Sequence, residues 1–293
     1  MRLSYKEKLE WAGQIRDSAP LKADIPKDYE AYLQQVEIEE CFLDTSEGKT
    51  HIYILKAKNR KENGNLLINI HGGGFTLGHF KRDLIFSAKM AVCLGGVAID
   101  IDYKLAPEFG YPVAFHECCD VVRWAFAQGK ELGIGTDKVI VCGHSAGANL
   151  TAAVAMKLKE INESLPALLV MDYPALDFTV QSDHGVPNAA QRFRAFDTFY
   201  TDDIEEVKQS PYVSPLLAPD DMLKGLPPVL MITADKDGLR FQGRDFVKRL
   251  KDLGTPVWER CFEDSGHGFV IYGNGQRDQA QDLIIKTIKE VTE

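Results

Sequence analysis

The pattern of apolar and polar residues changes its period several times along the chain. The first 35 residues carry apolar positions spaced as in one or two short helices. From residue 36 the segments VEIEECFL and THIYILKA alternate apolar and polar residues, which predicts two strands joined by a turn at Glu47 and Gly48. The next segment, NLLINI, is almost wholly apolar, which predicts a buried strand.

Beyond this strand, short apolar runs alternate with amphipathic helical segments. The spacing predicts helices over 84–94, 113–128, 146–160, 240–253 and 277–291. Strands are predicted at the runs VAIDID, KVIVCG, ALLVMDY, PPVLMITA and PVWERCF. This alternation is typical of a mainly parallel sheet covered by helices on both faces, so the predicted fold class is α/β.

Residues 177–218 interrupt the alternation. They have no strong strand pattern but are rich in aromatic residues, namely Phe178, Phe193, Phe196, Phe199 and Tyr200. An aromatic-rich insertion between two strand–helix units indicates a cap over the edge of the sheet that carries the loops. The alternative is a surface loop with a small core of its own. We therefore expect one domain over 1–293, with a small helical cap contributed by about 1–35 and 177–218.

Composition narrows the class of protein without giving a function. A chain of 293 residues with 45% hydrophobic and 26% charged residues is typical of a globular protein with a sizeable core. The 34 basic and 43 acidic residues give a net charge of −9, which argues against nucleic acid or anionic membranes as partners. We expect a small-molecule substrate, no nucleic-acid partner and no stable membrane association, and a homodimer stays open.

The N-terminus and the cysteines favour a cytoplasmic location. The first 20 residues lack the apolar core and the cleavage site of a secretory signal, and no run reaches 18 apolar residues. The cysteines form no C-x-x-C pair, and most lie within apolar runs. We therefore expect reduced, buried thiols and no metal site at Cys41, Cys93, Cys118, Cys119, Cys142 and Cys261.

One segment has the pattern of a nucleophile turn. Residues 143–147 read Gly-His-Ser-Ala-Gly, a G-x-S-x-G sequence between a predicted strand and a predicted helix. The glycines leave room for a sharp turn that holds the central residue in a strained conformation and presents its hydroxyl. The start of the following helix directs N–H groups and a positive dipole toward a developing negative charge. This pattern predicts Ser145 as a nucleophile.

A second glycine-rich segment follows the strand NLLINI. His71 is followed by three glycines, whose backbone N–H groups can converge on a substrate oxygen. The alternative is a phosphate-binding loop, but no Lys-Ser/Thr follows and G-x-G-x-x-G is absent. The segment therefore predicts an oxyanion hole.

A serine nucleophile needs a histidine base. Two histidines follow Ser145 in the chain, His184 and His267. His184 lies in the insertion, with Asp172 or Asp177 before it. His267 lies in a turn after the strand PVWERCF, at the position expected for the base in a nucleophile–acid–base order, and is therefore favoured.

The base in turn needs a carboxylate to orient it, and two aspartates follow the strand PPVLMITA. Asp237, in the turn itself, is preferred as the acid, and Asp235 stays as the alternative. Whichever aspartate is not used is expected to form an ion pair or a helix cap.

Six motifs together resemble the hormone-sensitive-lipase-like carboxylesterases of the α/β-hydrolase fold. They occur in that family's order and span about residues 65–290: HGGGF at 71–75, DYKLAPE at 102–108, GHSAGANL at 143–150, SPLLA at 214–218, DKDGLR at 235–240 and HGF at 267–269. The resemblance implies Ser145 as nucleophile, Asp237 as acid and His267 as base. It also implies an oxyanion hole made by the N–H groups of Gly73, Gly74 and Ala146. No metal or cofactor is required by such chemistry.

Three positions depart from the family's pattern. His144 stands where an aspartate is more frequent, Gly238 replaces a proline, and Asn149 follows Ala148 rather than a glycine. In the DYKLAPE segment we expect structural support from Asp102, Lys104 and Glu108.

The resemblance implies a serine carboxylesterase that works through an acyl-enzyme. No long, strongly apolar lid segment is present in the sequence, so small, short-acyl esters are favoured as substrates. We expect Phe75, His144 and Phe196 to contact the substrate. A formamidase, an amidase or a peptidase with the same triad is the alternative, and a non-catalytic small-molecule receptor is a further one.

Overall fold

The computed structural model describes residues 3–18, 25–180, 189–273 and 275–293. Its strands are β1 (Val36–Thr45), β2 (Gly48–Ala57), β3 (Gly64–Ile70), β4 (Val97–Asp102), β5 (Ile134–His144), β6 (Leu168–Asp172), β7 (Val229–Ala234) and β8 (Val257–Phe262). Its longer helices are α1 (Tyr5–Ser18), α3 (Lys81–Leu94), α4 (Val113–Ala127), α6 (Ala146–Glu160), α7 (Ala189–Thr201), α10 (Arg240–Asp252) and α12 (Arg277–Thr292). Single-turn helices are α2 (Lys27–Glu30), α5 (Gly129–Leu132), α8 (Glu205–Lys208), α9 (Asp220–Leu223) and α11 (Phe269–Tyr272), with 3₁₀ turns at Ala31–Gln35 and Pro215–Leu217.

All eight strands join one sheet in the order β1-β2-β4-β3-β5-β6-β7-β8. The predicted hairpin is present: β1 pairs antiparallel with β2, and Thr45 lies opposite Gly48 at its turn. Strand β2 is also antiparallel to β4, and every pairing from β4 to β8 is parallel. The fold is therefore α/β, as predicted. Because parallel strands end at one edge, the loops after β3, β5, β6, β7 and β8 meet there.

Helices bury both faces of the sheet. Helices α3 and α12 cover one face through apolar residues such as Phe86 and Ile284. Helices α4, α6 and α10 cover the other face through residues such as Val121, Val154 and Phe246. Within the described residues, no helix is long and apolar enough to cross a membrane.

The position of each strand in the sheet determines how its cysteines are placed. All six cysteines are free thiols. Cys118, Cys119 and Cys142 are buried, as expected. The expectation is wrong for Cys261, which is exposed because β8 is the outermost strand and has a partner on one side alone. Cys41 and Cys93 are half-buried.

The N-terminal helix lies against the region of the predicted cap. The ring of Trp11 on α1 meets the ring of Phe199 on α7 edge-on, with 5.2 Å between centroids. Arg16 donates to Glu108 at 2.6 and 2.8 Å, and its Nε donates to the Thr76 carbonyl at 2.9 Å. The described parts of 177–218 contain helices and no strand, as predicted.

The DYKLAPE segment has the supporting contacts that we expected. Asp102 lies 2.9 Å from a ring nitrogen of His51, and Lys104 forms an ion pair with the buried Glu117. With the Arg16–Glu108 pair, these contacts tie the segment to β2, α4 and α1.

Candidate active site

Ser145 occupies the sharp turn between β5 and α6. Its backbone has φ 54° and ψ −111°, a left-handed conformation that a side chain adopts at a cost of about 1–3 kcal/mol. The Ser145 N–H donates to the Asp172 carbonyl at 2.8 Å, which ties the turn to the end of β6. A β-carbon on Gly147 would lie 2.6 Å from the His71 carbonyl oxygen. The close approach of the backbone after β3 therefore requires a glycine at this position.

Three predicted side chains meet at this turn. His267 Nε2 lies 2.9 Å from Ser145 Oγ, and His267 Nδ1 lies 2.7 Å from Asp237 Oδ2. Because a carboxylate accepts, Nδ1 carries the proton and Nε2 can accept the serine proton. The Asp237 side chain is 2% exposed, and that of His267 is 34% exposed. In this arrangement His267 can deprotonate the Ser145 hydroxyl, and a substrate can approach from solvent.

The two aspartates after β7 have different positions. Asp237 Oδ1 accepts from the Leu239 N–H at 3.0 Å, which fixes the carboxylate while its other oxygen faces His267. Asp235 Oδ1 instead accepts from the Ser265 N–H at 3.1 Å and so holds the turn before His267. The geometry thus brings Asp237 to the histidine, as preferred from the sequence. The other candidate base, His184, lies outside the described residues.

Two aromatic rings border the His267 imidazole. The Tyr173 ring meets it edge-on with 5.0 Å between centroids, and the Phe193 ring does so at 5.8 Å. Tyr173 lies at the end of β6, and Phe193 lies on α7. The imidazole is thereby held between the sheet edge and the insertion.

The glycine-rich loop after β3 has its carbonyl groups occupied by the protein. The Gly72 carbonyl lies 2.7 Å from His71 Nδ1, the Gly73 carbonyl accepts from the Leu77 N–H at 2.8 Å, and the Gly74 carbonyl accepts from Thr76 Oγ1 at 3.1 Å.

The amides that the resemblance implicates are in a different situation. Among the described residues, no acceptor takes a hydrogen bond from the N–H groups of Gly73, Gly74 and Ala146. Ala146 begins α6, so its N–H also lies at the positive end of the helix dipole. Ala146 directly follows Ser145, and Gly73 and Gly74 follow Gly72, whose β-carbon would lie 3.5 Å from the Ser145 β-carbon. N–H groups without an acceptor at such a position are suited to a negatively charged oxygen.

The aromatic residues predicted to contact substrate have two kinds of environment. Phe196 lies over Gly74, where any β-carbon would collide with its ring. Phe75 is 1% exposed and stacks on Tyr200 of α7 with 3.6 Å between centroids. Phe75 therefore joins the oxyanion loop to the insertion, whereas Phe196 covers the loop directly. Contact of either ring with substrate stays a prediction.

His144 lies where we did not expect it. Its ring is enclosed by the sheet and by Phe86, the residue is 1% exposed, and one nitrogen lies 3.1 Å from Asn69 Oδ1 and the other 2.9 Å from Asp172 Oδ2. The ring thus lies on the face of the sheet that α3 covers, behind the serine turn. The expected contact with substrate does not fit this position. One sequence signal could have located its partners. Asn69 and Asp172 are polar residues within the apolar runs NLLINI and LLVMD, and buried polar groups need partners.

One group of side chains has the chemistry of metal ligands. Within the described residues, Cys142, His144 and Asp172 offer ligand atoms that all lie within 4.8 Å of one another, and all three are buried. The group lies directly behind the serine turn.

The family described as alpha/beta hydrolase fold matches residues 67–271, which contain Ser145, Asp237, His267 and the glycine-rich loop. The chain belongs to the α/β hydrolase fold family. The predicted resemblance and fold are therefore confirmed.

Similar members of the α/β hydrolase family are esterases by name. An arylesterase of Saccharolobus solfataricus is 28% identical over 263 residues, which cover 84% of this chain and 79% of the relative. An ethyl acetate hydrolase of Pseudomonas putida is 27% identical over 236 residues, covering 78% of this chain and 73% of the relative. The solved structure of a hyperthermophilic esterase from Pyrobaculum calidifontis superposes with a TM-score of 0.83 at 26% identity and covers 99% of each chain.

Proposed function

We propose that this α/β hydrolase is a serine carboxylesterase that hydrolyses small esters through an acyl-enzyme on Ser145. The observation that carries the proposal is the unbroken contact from Asp237 through His267 to Ser145, at 2.7 and 2.9 Å. The esterase names of its relatives support carboxylic ester hydrolysis as the activity.

In the first half of the reaction, Ser145 Oγ attacks the ester carbonyl while His267 Nε2 takes its proton. Asp237 keeps the Nδ1 proton in place and stabilises the charged imidazole. The carbonyl oxygen becomes negative and is bound by the N–H groups of Gly73, Gly74 and Ala146, each worth about 2.7–4 kcal/mol of barrier lowering. His267 then protonates the departing alcohol, which leaves an acyl group on Ser145.

In the second half, water replaces the alcohol. His267 removes a proton from the water as it attacks the acyl carbon, and the same three amides bind the second oxyanion. The carboxylic acid leaves as Ser145 recovers its proton from His267. The 34% exposure of the His267 side chain supports this step, because the imidazole is open to solvent.

We further propose that α1 and the insertion form a cap that favours short acyl chains. The contact of Trp11 with Phe199 and the position of Phe196 over Gly74 support this arrangement. Bulky rings this close to the oxyanion loop leave room for a small acyl group rather than a long one.

The test compares Ser145→Ala with wild type on p-nitrophenyl esters of increasing acyl length. We expect the variant to lose about 10⁴-fold or more in kcat, with Ser164→Ala, an exposed serine, as the matched control that keeps wild-type activity. Unchanged turnover by Ser145→Ala would refute the nucleophile. Wild type should be fastest on acetyl or butyryl esters, and a maximum at the palmitoyl ester would refute the preference for short chains.

A further inference from the structure

We propose that Arg16 is a positioning residue for the N–H group of Gly74, on which it acts through two peptide groups of the oxyanion loop; this inference rests on the proposed function. Arg16 lies in the last turn of α1, which takes no part in the proton transfers proposed above. Its side chain donates to Thr76, Ala106 and Glu108. The first of these contacts begins a continuous path to the oxyanion site.

The path from Arg16 begins at one peptide group of the loop. Arg16 Nε donates to the Thr76 carbonyl at 2.9 Å. The same peptide group carries the Leu77 N–H, which donates to the Gly73 carbonyl at 2.8 Å. The carbonyl and the N–H of a trans peptide point in opposite directions. This peptide group therefore links Arg16 on one side to Gly73 on the other.

A second peptide group continues the path to the oxyanion site. The Gly73 carbonyl and the Gly74 N–H belong to this group, so a donor that fixes the carbonyl also fixes the direction of the N–H. The Gly73 carbonyl has two such donors, the Leu77 N–H at 2.8 Å and the Thr76 N–H at 3.1 Å. Since no described residue accepts from the Gly74 N–H, this group is the donor at the end of the chain that starts at Arg16.

The Thr76 N–H is held in a similar way by the segment that follows β4. It shares a peptide group with the Phe75 carbonyl, which accepts from the Ala106 N–H at 2.7 Å. Arg16 Nη2 in turn donates to the Ala106 carbonyl at 3.0 Å. Both donors to the Gly73 carbonyl are therefore tied, through their own peptide groups, to Arg16 or to a residue that Arg16 contacts.

Glu108 fixes the orientation of the guanidinium. It accepts from Arg16 Nη1 at 2.6 Å and from Nη2 at 2.8 Å, so the two side chains form a bidentate pair. The planar guanidinium held in this way presents Nε to the Thr76 carbonyl. A charged donor at the start of a hydrogen-bonded chain polarises each group along it, which strengthens the last donor. Arg16 thus orients the Gly74 N–H and strengthens its bond to an oxyanion.

The alternative is that Arg16 only fastens α1 to the rest of the protein. Helix α1 has another attachment in the contact of Trp11 with Phe199, and the pair of Arg16 with Glu108 is itself a fastening. The bond from Nε to the Thr76 carbonyl is the one that enters the oxyanion loop. Loss of a fastening would loosen the cap and weaken substrate binding, whereas loss of the path would weaken binding of the oxyanion.

The test compares Arg16→Gln with wild type in kcat and KM for p-nitrophenyl butyrate and in the inhibition constant of a trifluoromethyl ketone. Ser145 Oγ adds to the ketone carbon and gives its proton to His267, so the ketone oxygen becomes a bound oxyanion. We expect kcat and the affinity for the ketone to fall together, by about 10–10²-fold, with KM within about twofold. The loss is smaller than that for removing an oxyanion donor, because the Gly74 N–H remains.

A fastening role would raise KM and leave kcat and the affinity for the ketone at their wild-type values, and that result would overturn the proposal. A loss of kcat without a loss of affinity for the ketone would overturn it too. Arg249→Gln is the matched control, because Arg249 donates to a carboxylate and to two carbonyls of another loop, those of Leu216 and Ala218. It should leave all three constants unchanged.

Glu108→Gln separates the ion pair from the path to the loop. The new amide oxygen can still accept from Arg16, and the bonds from Arg16 to the Thr76 and Ala106 carbonyls remain. We therefore expect its kcat to stay within about threefold of wild type. Equal losses of kcat in Glu108→Gln and Arg16→Gln would contradict the proposal, because the ion pair alone would explain both.

Arg16→Lys decides the question if Arg16→Gln does not fold. Lysine keeps the charge, but its single nitrogen cannot reach Glu108 and both carbonyls as the guanidinium does. Its kcat should fall by about fivefold or more with KM unchanged, and a wild-type kcat would overturn the proposal. Failure of the proposed function is distinguishable, since Ser145→Ala would then keep its activity whatever the Arg16 variants do.

Discussion

Two histidine–aspartate pairs lie on either side of Tyr173, and they differ in nearly every physical respect. The ring of Tyr173 is 5.0 Å from the His267 ring and 6.3 Å from the His144 ring. His267 stands on a loop, is about one-third exposed and reaches Ser145 with Nε2. His144 stands at the end of a central strand and is almost fully enclosed.

The difference shows what each pair can do with a proton. His267 has one nitrogen fixed by Asp237 and one that faces the serine hydroxyl, so it can take up a proton and release it. The His144 side chain is 2% exposed, and its nitrogens lie near Asn69 and Asp172 inside the protein, so the ring has almost no contact with solvent. Under the proposed function, the same two residue types transfer protons at the loops, whereas within the sheet they are enclosed behind the serine turn.

The largest expected effect on kcat is that of replacing Asp237, compared with replacing the nearby Asp235. Asp237→Asn should lower kcat by about 10³–10⁴-fold, because the amide favours the wrong His267 tautomer. Asp235→Asn is the matched control and should stay within about threefold, since Asp235 holds only the turn before the histidine. Steady-state kinetics on a short ester checks both variants, and equal losses would contradict the assignment.

A smaller loss should follow from crowding the oxyanion loop. In Gly74→Ala the new methyl group would collide with Phe196 at a backbone φ of 61°, so the loop must shift its amides. We expect kcat to fall about 10²–10³-fold, as for the loss of an oxyanion donor. Gly133→Ala is the control, because Gly133 also has positive φ but its β-carbon would meet no atom within 4 Å. If both variants are equally active, the loop does not bind the oxyanion.

The smallest effect concerns stability on the buried side. His79 lies 3.0 Å from Asp100, at the far end of the polar row that begins at His144. Burial by itself lowers the pKa of His79, but the charge and contact of Asp100 outweigh it and raise the pKa to about 9. Since the folded pKa lies above the ordinary value of 6.5, the charged His79 stabilises the fold below that pH.

This stabilisation, about 3 kcal/mol, should disappear as pH rises from about 6.5 to about 9. His79→Gln should remove that part of the pH dependence and lower stability most at the acidic end. Urea midpoints measured across this range check the prediction. A variant with the same pH slope as wild type would show that the buried row does not hold a charged His79.

Much of the candidate active site could be predicted from the sequence, because its residues lie in or next to recognisable turns. The glycines around Ser145 and after His71 identify the turns, and the order of the strands brings Asp237 and His267 to the same edge. The glycine signals are local in sequence, and Asp237 and His267 each follow closely after a predicted strand.

The buried pair could not be predicted, because it depends on the register of two parallel strands. His144 lies opposite Asp172 in the β5–β6 pairing, and Asn69 lies opposite Asp100 in the β3–β4 pairing. Neither register is encoded by a turn or a motif. The sequence alone therefore left the direction of the His144 ring open, and we expected it to face the substrate.

Covalent labelling of wild type and Ser145→Ala by a fluorophosphonate, read by intact and peptide mass spectrometry, tests the central claim most directly. The account predicts one adduct per wild-type chain, located on Ser145, with parallel loss of ester hydrolysis. It predicts no adduct on Ser145→Ala. An adduct on another residue, or hydrolysis that persists in fully labelled protein, would contradict it.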